Sequence, residues 1–251
     1  MGSQGTFGYI IGKKKRFSHV QHDADLLWQI LTREIYVLMK YYKTIESLQE
    51  AFIKIKVAKG NPKKIEIEKC NIFTDYECDN KTPNDWNCIL KYCQSSFINT
   101  LEAGYILTKE EDNGYVFILD FNKSIAKYYF KDHKNNITEY QSATIEEIKS
   151  FDDMPTKTYT EIVTEMKTSF DTYYEKYIIT KKEIEKVNSI IDDAKRQCAG
   201  NIEEKAQRML DILRWDHKKM NMERRVFYHR LKALDLIEEE KEYKIEKNLK
   251  K

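Results

Sequence analysis

TKTYTEIVTEMKTSFDTYYEKYIITKKEIEKVNSIIDDAKRQCA, residues 156–199, contains neither glycine nor proline. Its apolar side chains keep step. Tyr159, Val163, Met166, Phe170, Tyr173, Tyr177, Thr180, Ile184, Val187, Ile191, Ala194 and Cys198 follow a 4,3,4,3 spacing, and only Thr180 among them is neither apolar nor aromatic. Side chains at that spacing share one face of an α-helix, because a turn takes about 3.6 residues. The spacing therefore predicts a helix roughly 60 Å long at 1.5 Å per residue. Ile178, Ile179 and Thr180 are β-branched, so two shorter helices broken there are the alternative. In either form the stripe must be hidden from water. Val163, Met166, Phe170, Tyr173, Tyr177, Ile184, Val187 and Ile191 are the expected helix-interface residues. Either the chain's own last helices or another chain can supply the cover, which leaves a homo-oligomer open.

C-terminal to this stretch, Gly200-Asn201 is a break. A helix with Met209, Ile212 and Leu213 is expected from Ile202 to about Arg214, and another, with Val226, Phe227, Leu231 and Leu234, from Met222 to Leu236. Residues 238–251 form a charged tail expected to fray.

Towards the N-terminus the periods shorten. Four of the eight glycines are Gly2, Gly5, Gly8 and Gly12. Phe7–Ile11 and Arg16–Gln21 read as a hairpin turned at Gly12-Lys13-Lys14-Lys15. A helix capped by Asp23 or Asp25 is expected to run to Tyr42, with Leu27, Ile30, Leu31, Leu38 and Tyr41 at helical spacing. A second runs from Ile45 to about Ala58. Residues 63–84 read as loop with one short element. Thr82-Pro83-Asn84-Asp85 opens a helix carrying Trp86, Ile89, Leu90, Cys93, Phe97 and Leu101, and Gly104 stops it. Tyr105–Thr108, Tyr115–Phe121 and Ile125–Phe130 read as a three-stranded antiparallel meander. Thr144-Ile145-Glu146-Glu147 has capping-box spacing and opens a short helix. The expected fold is α+β and helix-rich. A mixed module with a small antiparallel sheet and flanking helices (1–152) precedes a helical, coiled-coil-like module (156–237) and the charged tail.

Composition narrows the function classes. Charged residues reach 33% with a net charge of only +2, which describes a salt-bridge-laced helical surface better than a dedicated polyanion binder. The N-terminus has no apolar signal-peptide core, no apolar run reaches the ~20 residues of a membrane helix, and the cysteine count is odd. A cytoplasmic protein with reduced thiols is the expectation. The phosphate-loop, H-E-x-x-H and G-x-S-x-G signatures are missing. No catalytic residue, metal or cofactor is assigned.

Four groups of residues could still carry function. His19 and His22, beside Asp23 and Asp25, are the material of a metal site or general base; ordinary strand-end and cap residues are the plainer reading. Cys70, Cys78, Cys88 and Cys93 lack the close C-x₂₋₄-C pairs of structural zinc sites and read as small buried hydrophobes. Met1-Gly2-Ser3-Gln4-Gly5-Thr6 fits the N-myristoylation pattern at Gly2, with Lys13-Lys14-Lys15-Arg16 as a second membrane signal. Without lipidation no membrane partner is expected. Last, Arg214, Lys218, Lys219, Arg224, Arg225, Arg230 and Lys232 crowd one stretch. MERRVFYHRLKALDLI, residues 222–237, has the look of a winged-helix recognition helix, although too little helix precedes it and no glycine makes the wing turn; a basic helix face docked against the chain's own acids is the plainer reading.

Gly2-x-x-Gly5-x-x-Gly8-Tyr9, the Lys-rich hairpin, Asp23-x-Asp25 and the strand Ile118-Leu119-Asp120-Phe121-Asn122 resemble a set of uncharacterised proteins of amoeba-infecting giant DNA viruses, the mimivirus group. The resemblance covers about residues 1–130. It implies a viral protein in the host cytoplasm and transfers no activity and no site residue. The leading expectation is a non-enzymatic viral protein acting through protein–protein interaction or self-assembly by its long helix. Nucleic-acid binding by residues 214–232 is the alternative, and an enzyme with a site near the first strand, His19 and His22 is the third reading.

Overall fold

The computed structural model describes residues 3–21, 23–74, 85–108, 113–220 and 225–236, and for 218–220 and 225–228 the backbone only. Gly2, His22, Cys78, the Thr82-Pro83-Asn84 helix start, Arg224 and the 238–251 tail lie outside the described residues. In chain order the elements are β1 (Gly5–Ile11), β2 (Lys14–Val20), α1 (Leu27–Tyr42), α2 (Ile45–Ile53), β3 (Lys56–Val57), α3 (Lys64–Cys70), α4 (Trp86–Ile89), α5 (Phe97–Ala103), β4 (Tyr105–Ile106), β5 (Gly114–Asp120), β6 (Ile125–Lys131), β7 (Ile137–Thr144), α6 (Ile145–Ile148), α7 (Tyr159–Arg196), α8 (Gly200–Met220) and α9 (Arg225–Ala233). The fold is α+β and helix-rich.

Five strands form one mixed sheet in the order β2-β1-β5-β6-β7. β1 and β5 are parallel and the other pairs antiparallel. β1 can sit between two neighbours because Gly5 and Gly8 let backbones approach. A Cβ on Gly5 would lie 2.1 Å from the Tyr115 carbonyl oxygen, and one on Gly8 2.1 Å from that of Arg16. One sheet face carries Phe7, Tyr9, Phe117, Leu119 and Tyr128 against Leu27, Leu31, Ile35 and Leu38 of α1 and Leu48 and Phe52 of α2. Tyr159, Ile162 and Val163 of α7, with Leu231, Ala233 and Leu234 near the C-terminus, belong to the same core. The apolar core thus crosses the expected module boundary at 152–156.

The first hairpin forms with its second strand starting already at Lys14, and α1 runs to Tyr42. Neither Asp23 nor Asp25 caps α1, since a short helical turn at Ala24–Leu26 precedes it and neither that turn nor α1 has a side-chain cap. The capping box at Thr144 forms as the sequence predicts. Thr144 Oγ1 accepts from Glu147 N, and Glu147 Oε2 accepts from Thr144 N. Three further expectations need correction. The meander is β5-β6-β7, not Tyr105–Thr108 with β5 and β6. The far side of β5 is taken by β1, so Tyr105–Ile106 pairs in parallel with Lys56–Val57. The helix expected up to Gly104 is three pieces, because Ser96 caps a fresh start by accepting from Asn99 N. The second helix ends at Ile53, and Lys56–Val57 is already strand.

The long helix is unbroken. Thr158 and Glu161 cap α7 reciprocally, and it spans 38 residues, about 57 Å at 1.5 Å per residue. Thr180 does not break it: its hydroxyl donates to the Lys176 carbonyl at 2.9 Å, within the helix. From Tyr159 to Ala194 every stripe residue is buried or half-buried. Cys198 is exposed beyond the helix end, with φ 54°. Of the two covers the sequence leaves open, the chain supplies its own: α8 folds back along α7, and α9 packs on α7 as well.

Candidate functional site

The basic C-terminal stretch does not turn all of its cations to solvent. Arg230 is 3% exposed, and its Nε lies 3.7 Å from Oε1 of Glu34, which is fully buried on α1. Arg230 Nη2 donates to Ser95 Oγ at 3.1 Å. Glu34 also accepts from Ser96 Oγ at 2.5 Å, from Phe97 N at 2.6 Å and from Ile98 N at 3.4 Å. The carboxylate therefore sits on the N-terminus of α5, where backbone N–H groups and the helix dipole favour negative charge. Burial pushes the Glu34 carboxyl up, against the pull of Arg230, Ser96 and the two backbone donors. Burial likewise lowers Arg230, against the pull of Glu34. Next to them Cys93 is buried and its thiol is pushed well above its ordinary range. The two ions neutralise each other and fix α9 to α1 and α5. Arg33 adds a second tie, donating to the Leu234 carbonyl at 2.6 Å and bridging to Asp153 at 2.9 Å.

Arg230 is thus no phosphate contact but an interior clamp, docked against the chain's own acid as the plainer reading of this stretch has it. Its position explains why: Val226, Arg230 and Leu234 are four apart and share one helix face. Of the other basic candidates, Arg214 is exposed on α8 and Lys232 is half-buried. The side chains of Lys218, Lys219 and Arg225 are among those not described. Glu34 escapes the sequence reading altogether, although a signal exists: it stands at helical spacing among Ile30, Leu31 and Leu38, where an acid is out of place unless paired.

His19 is half-buried on β2 opposite Thr6. Asp25 is exposed and bonded to Ser3. Cys70 is buried, with its thiol pushed up to about 11; Cys88 is half-buried. A cleft of about 210 Å³ is lined by Lys54, Lys56, Lys69 and Tyr105 at the C-terminal ends of α2 and α5. Lysines there offset the carbonyl ends of two helices, so their placement serves the fold. Among the described residues no helix is long and apolar enough to cross a membrane.

The α7–α8 hairpin differs from the rest. It is closed along its length: Lys195 bridges to Glu203 at 4.0 Å near the turn, Val187 and Ile191 pack on Ala206 and Leu210, and the Tyr177 and His217 rings lie 4.5 Å apart at the base. Val163 and Met166 are buried in the two larger cores, whereas Phe170 and Tyr177 form a small cluster of their own. Tyr173 is half-buried with its ring 5.7 Å from that of His229. Ile184, Val187 and Ile191 belong to the core between α7 and α8, separate from the sheet core. That stem has two flanks. Lys195 and Glu203 mark one as polar. On the other, Ile179 and Ile190 of α7 and Ile202, Met209 and Ile212 of α8 are between 48% and 64% exposed. The shared flank follows from helix phase: at 100° per residue these five lie on the side of their buried stripes away from the Lys195–Glu203 bridge.

No known protein family, characterised protein or solved structure matches the chain.

Proposed function

We propose that the chain is a non-enzymatic interaction protein, viral and cytoplasmic, that docks to protein through its α7–α8 stem. One observation carries the reading. The stem spends its 4,3 stripe on its own two-helix core, yet exposes five large apolar side chains along one flank. Isolated surface hydrophobes are ordinary, but a line of them rimmed by charge marks an interaction surface. The resemblance of residues 1–130 to giant-virus proteins supports the setting.

Lysine-directed crosslinking of the full chain in the cells that make it tests the proposal. Crosslinks to protein should concentrate on Lys186 and Lys205, which stand on the apolar flank, and spare Lys195 on the polar one. Crosslinks confined to the sheet body would contradict it.

A further inference from the structure

The exposed flank has a pattern of its own. On α7 it reads Ile179, Glu183, Lys186, Ile190, spaced 4,3,4; on α8 it reads Ile202, Lys205, Met209, Ile212, Asp216, spaced 3,4,3,4. Each helix therefore carries a second heptad stripe beside the one already buried. A helix needs two adjacent stripes when it has two neighbours, as in a four-helix bundle. Within the hairpin each helix buries one stripe against the other and leaves the second exposed.

The charges identify the missing neighbour. Glu183, Lys186, Lys205 and Asp216 have no ion-pair partner among the described residues. Between Ile179 and Ile190 on α7 and between Ile202 and Asp216 on α8 the stripe holds two acids and two bases, which suits neither a purely acidic nor a purely basic partner. It does suit itself. Lay a second stem antiparallel on the first, α7 on α7 and α8 on α8, about a two-fold axis. Residues then meet across a midpoint. Between Ile184 and Glu185 lies the midpoint that brings Ile190 onto Ile179 and Lys186 onto Glu183. Between Leu210 and Asp211 lies the one that brings Met209 onto Ile212 and Lys205 onto Asp216. The two midpoints stand at the same level of the stem, since Ile184 and Leu210 share its small core. A single axis therefore satisfies all four pairings, each made twice, as an isologous contact requires. Every pair of neighbouring helices in the resulting bundle is antiparallel, which also sets helix dipoles head to tail.

Resting on the reading of the stem as a docking element, we infer that its partner is a second copy of this chain, joined flank to flank as a two-fold antiparallel four-helix bundle. The apolar pairs supply affinity, and the crossed Lys–Glu and Lys–Asp pairs set the register.

Light scattering coupled to size exclusion, on the purified full chain over a concentration series, reads the outcome. The expected mass is twice the 30.0 kDa of one chain. Ile190→Asp with Met209→Asp should raise the dissociation constant at least tenfold while circular dichroism stays unchanged, since both side chains are exposed. Glu183→Lys alone and Lys186→Glu alone should each weaken the dimer, by placing like charges opposite one another, and the two together should restore it. A wild-type chain that stays monomeric overturns the self-pairing; crosslinks from Lys186 to a different protein would then keep the docking reading alive, and their absence would end both. A dimer that the double reversal fails to restore overturns the two-fold register.

Discussion

The sheet body and the α7–α8 stem bury apolar stripes by the same physics and end with different surfaces. In the body, Phe7, Phe52, Phe97 and Phe117 interlock edge to face, and helices close over the sheet. That core is deep enough to hold a buried ion pair, Glu34 with Arg230. In the stem, the core is one residue layer between two helices, made of Val187, Ile191, Ala206 and Leu210 with Ile184 and Leu213 at its margin. Two helices can shield one stripe each, so a second stripe stays in water. The body holds the deeper core, and its exposed apolar side chains, such as Ile53, Ile65 and Ile137, stand on separate elements, whereas five of the stem's line one flank.

The contrast can be broken first at the ion pair. Glu34→Ala or Arg230→Ala should each cost about 3–5 kcal/mol, because either leaves an uncompensated buried charge. Replacing both by leucine should recover most of that loss in a urea titration. A single substitution costing under about 1 kcal/mol would show that the pair is not buried as described. The two cores should differ next. Phe97→Ala should cost about 3–5 kcal/mol and lower the whole transition, whereas Leu210→Ala should fall near the low end of about 2–5 kcal/mol, since the thin stem core can relax. Hydrogen exchange should then quicken in α8 and leave β1 and β5 protected.

Smaller effects sharpen the comparison at the two ends of α7. Thr158→Ala removes the cap on Glu161 N and should cost about 1 kcal/mol. The bonds from Thr158 hold the Glu161 carboxyl below its ordinary range. A depressed carboxyl stabilises the fold above its unfolded value, and that contribution should fade as pH falls through the depressed one. Thr158→Ala should therefore lose part of its effect in acid. At the other end Cys198 adopts φ 54°, and Ala199 N bonds to the Ala194 carbonyl in the manner of a glycine-type helix stop. Cys198→Gly should stabilise the chain by about 1 kcal/mol, read as a raised denaturation midpoint.

The parts legible in the sequence are those written in local period. The long helix, the first hairpin and the Thr144 cap depend on neighbours a few residues apart. β7 leaves no local signal because it is an edge strand, ITEYQSAT, with almost every side chain in water and no alternation to read. The parallel pairing of β1 with β5 joins segments more than a hundred residues apart, and no spacing announces it. The break before α5 depends on Glu34, far upstream, which takes the N–H groups of Phe97 and Ile98. Basic neighbours disguise Arg230, although its interval from Val226 and Leu234 points inward. The stem's second stripe is hidden by Glu183, Lys186, Lys205 and Asp216, which interrupt its apolar run.

Spin labels at Lys182 and Arg214, both exposed and level with each other in the closed hairpin, measure the fold-back of α8 on α7 directly. In labelled chains diluted with unlabelled protein, the intrachain separation should be on the order of 20 Å, two helices 8–10 Å apart plus the labels. A separation near the roughly 48 Å of a continuous helix between those positions, or a short distance that disappears on dilution, would mean that the stripe is covered by another chain.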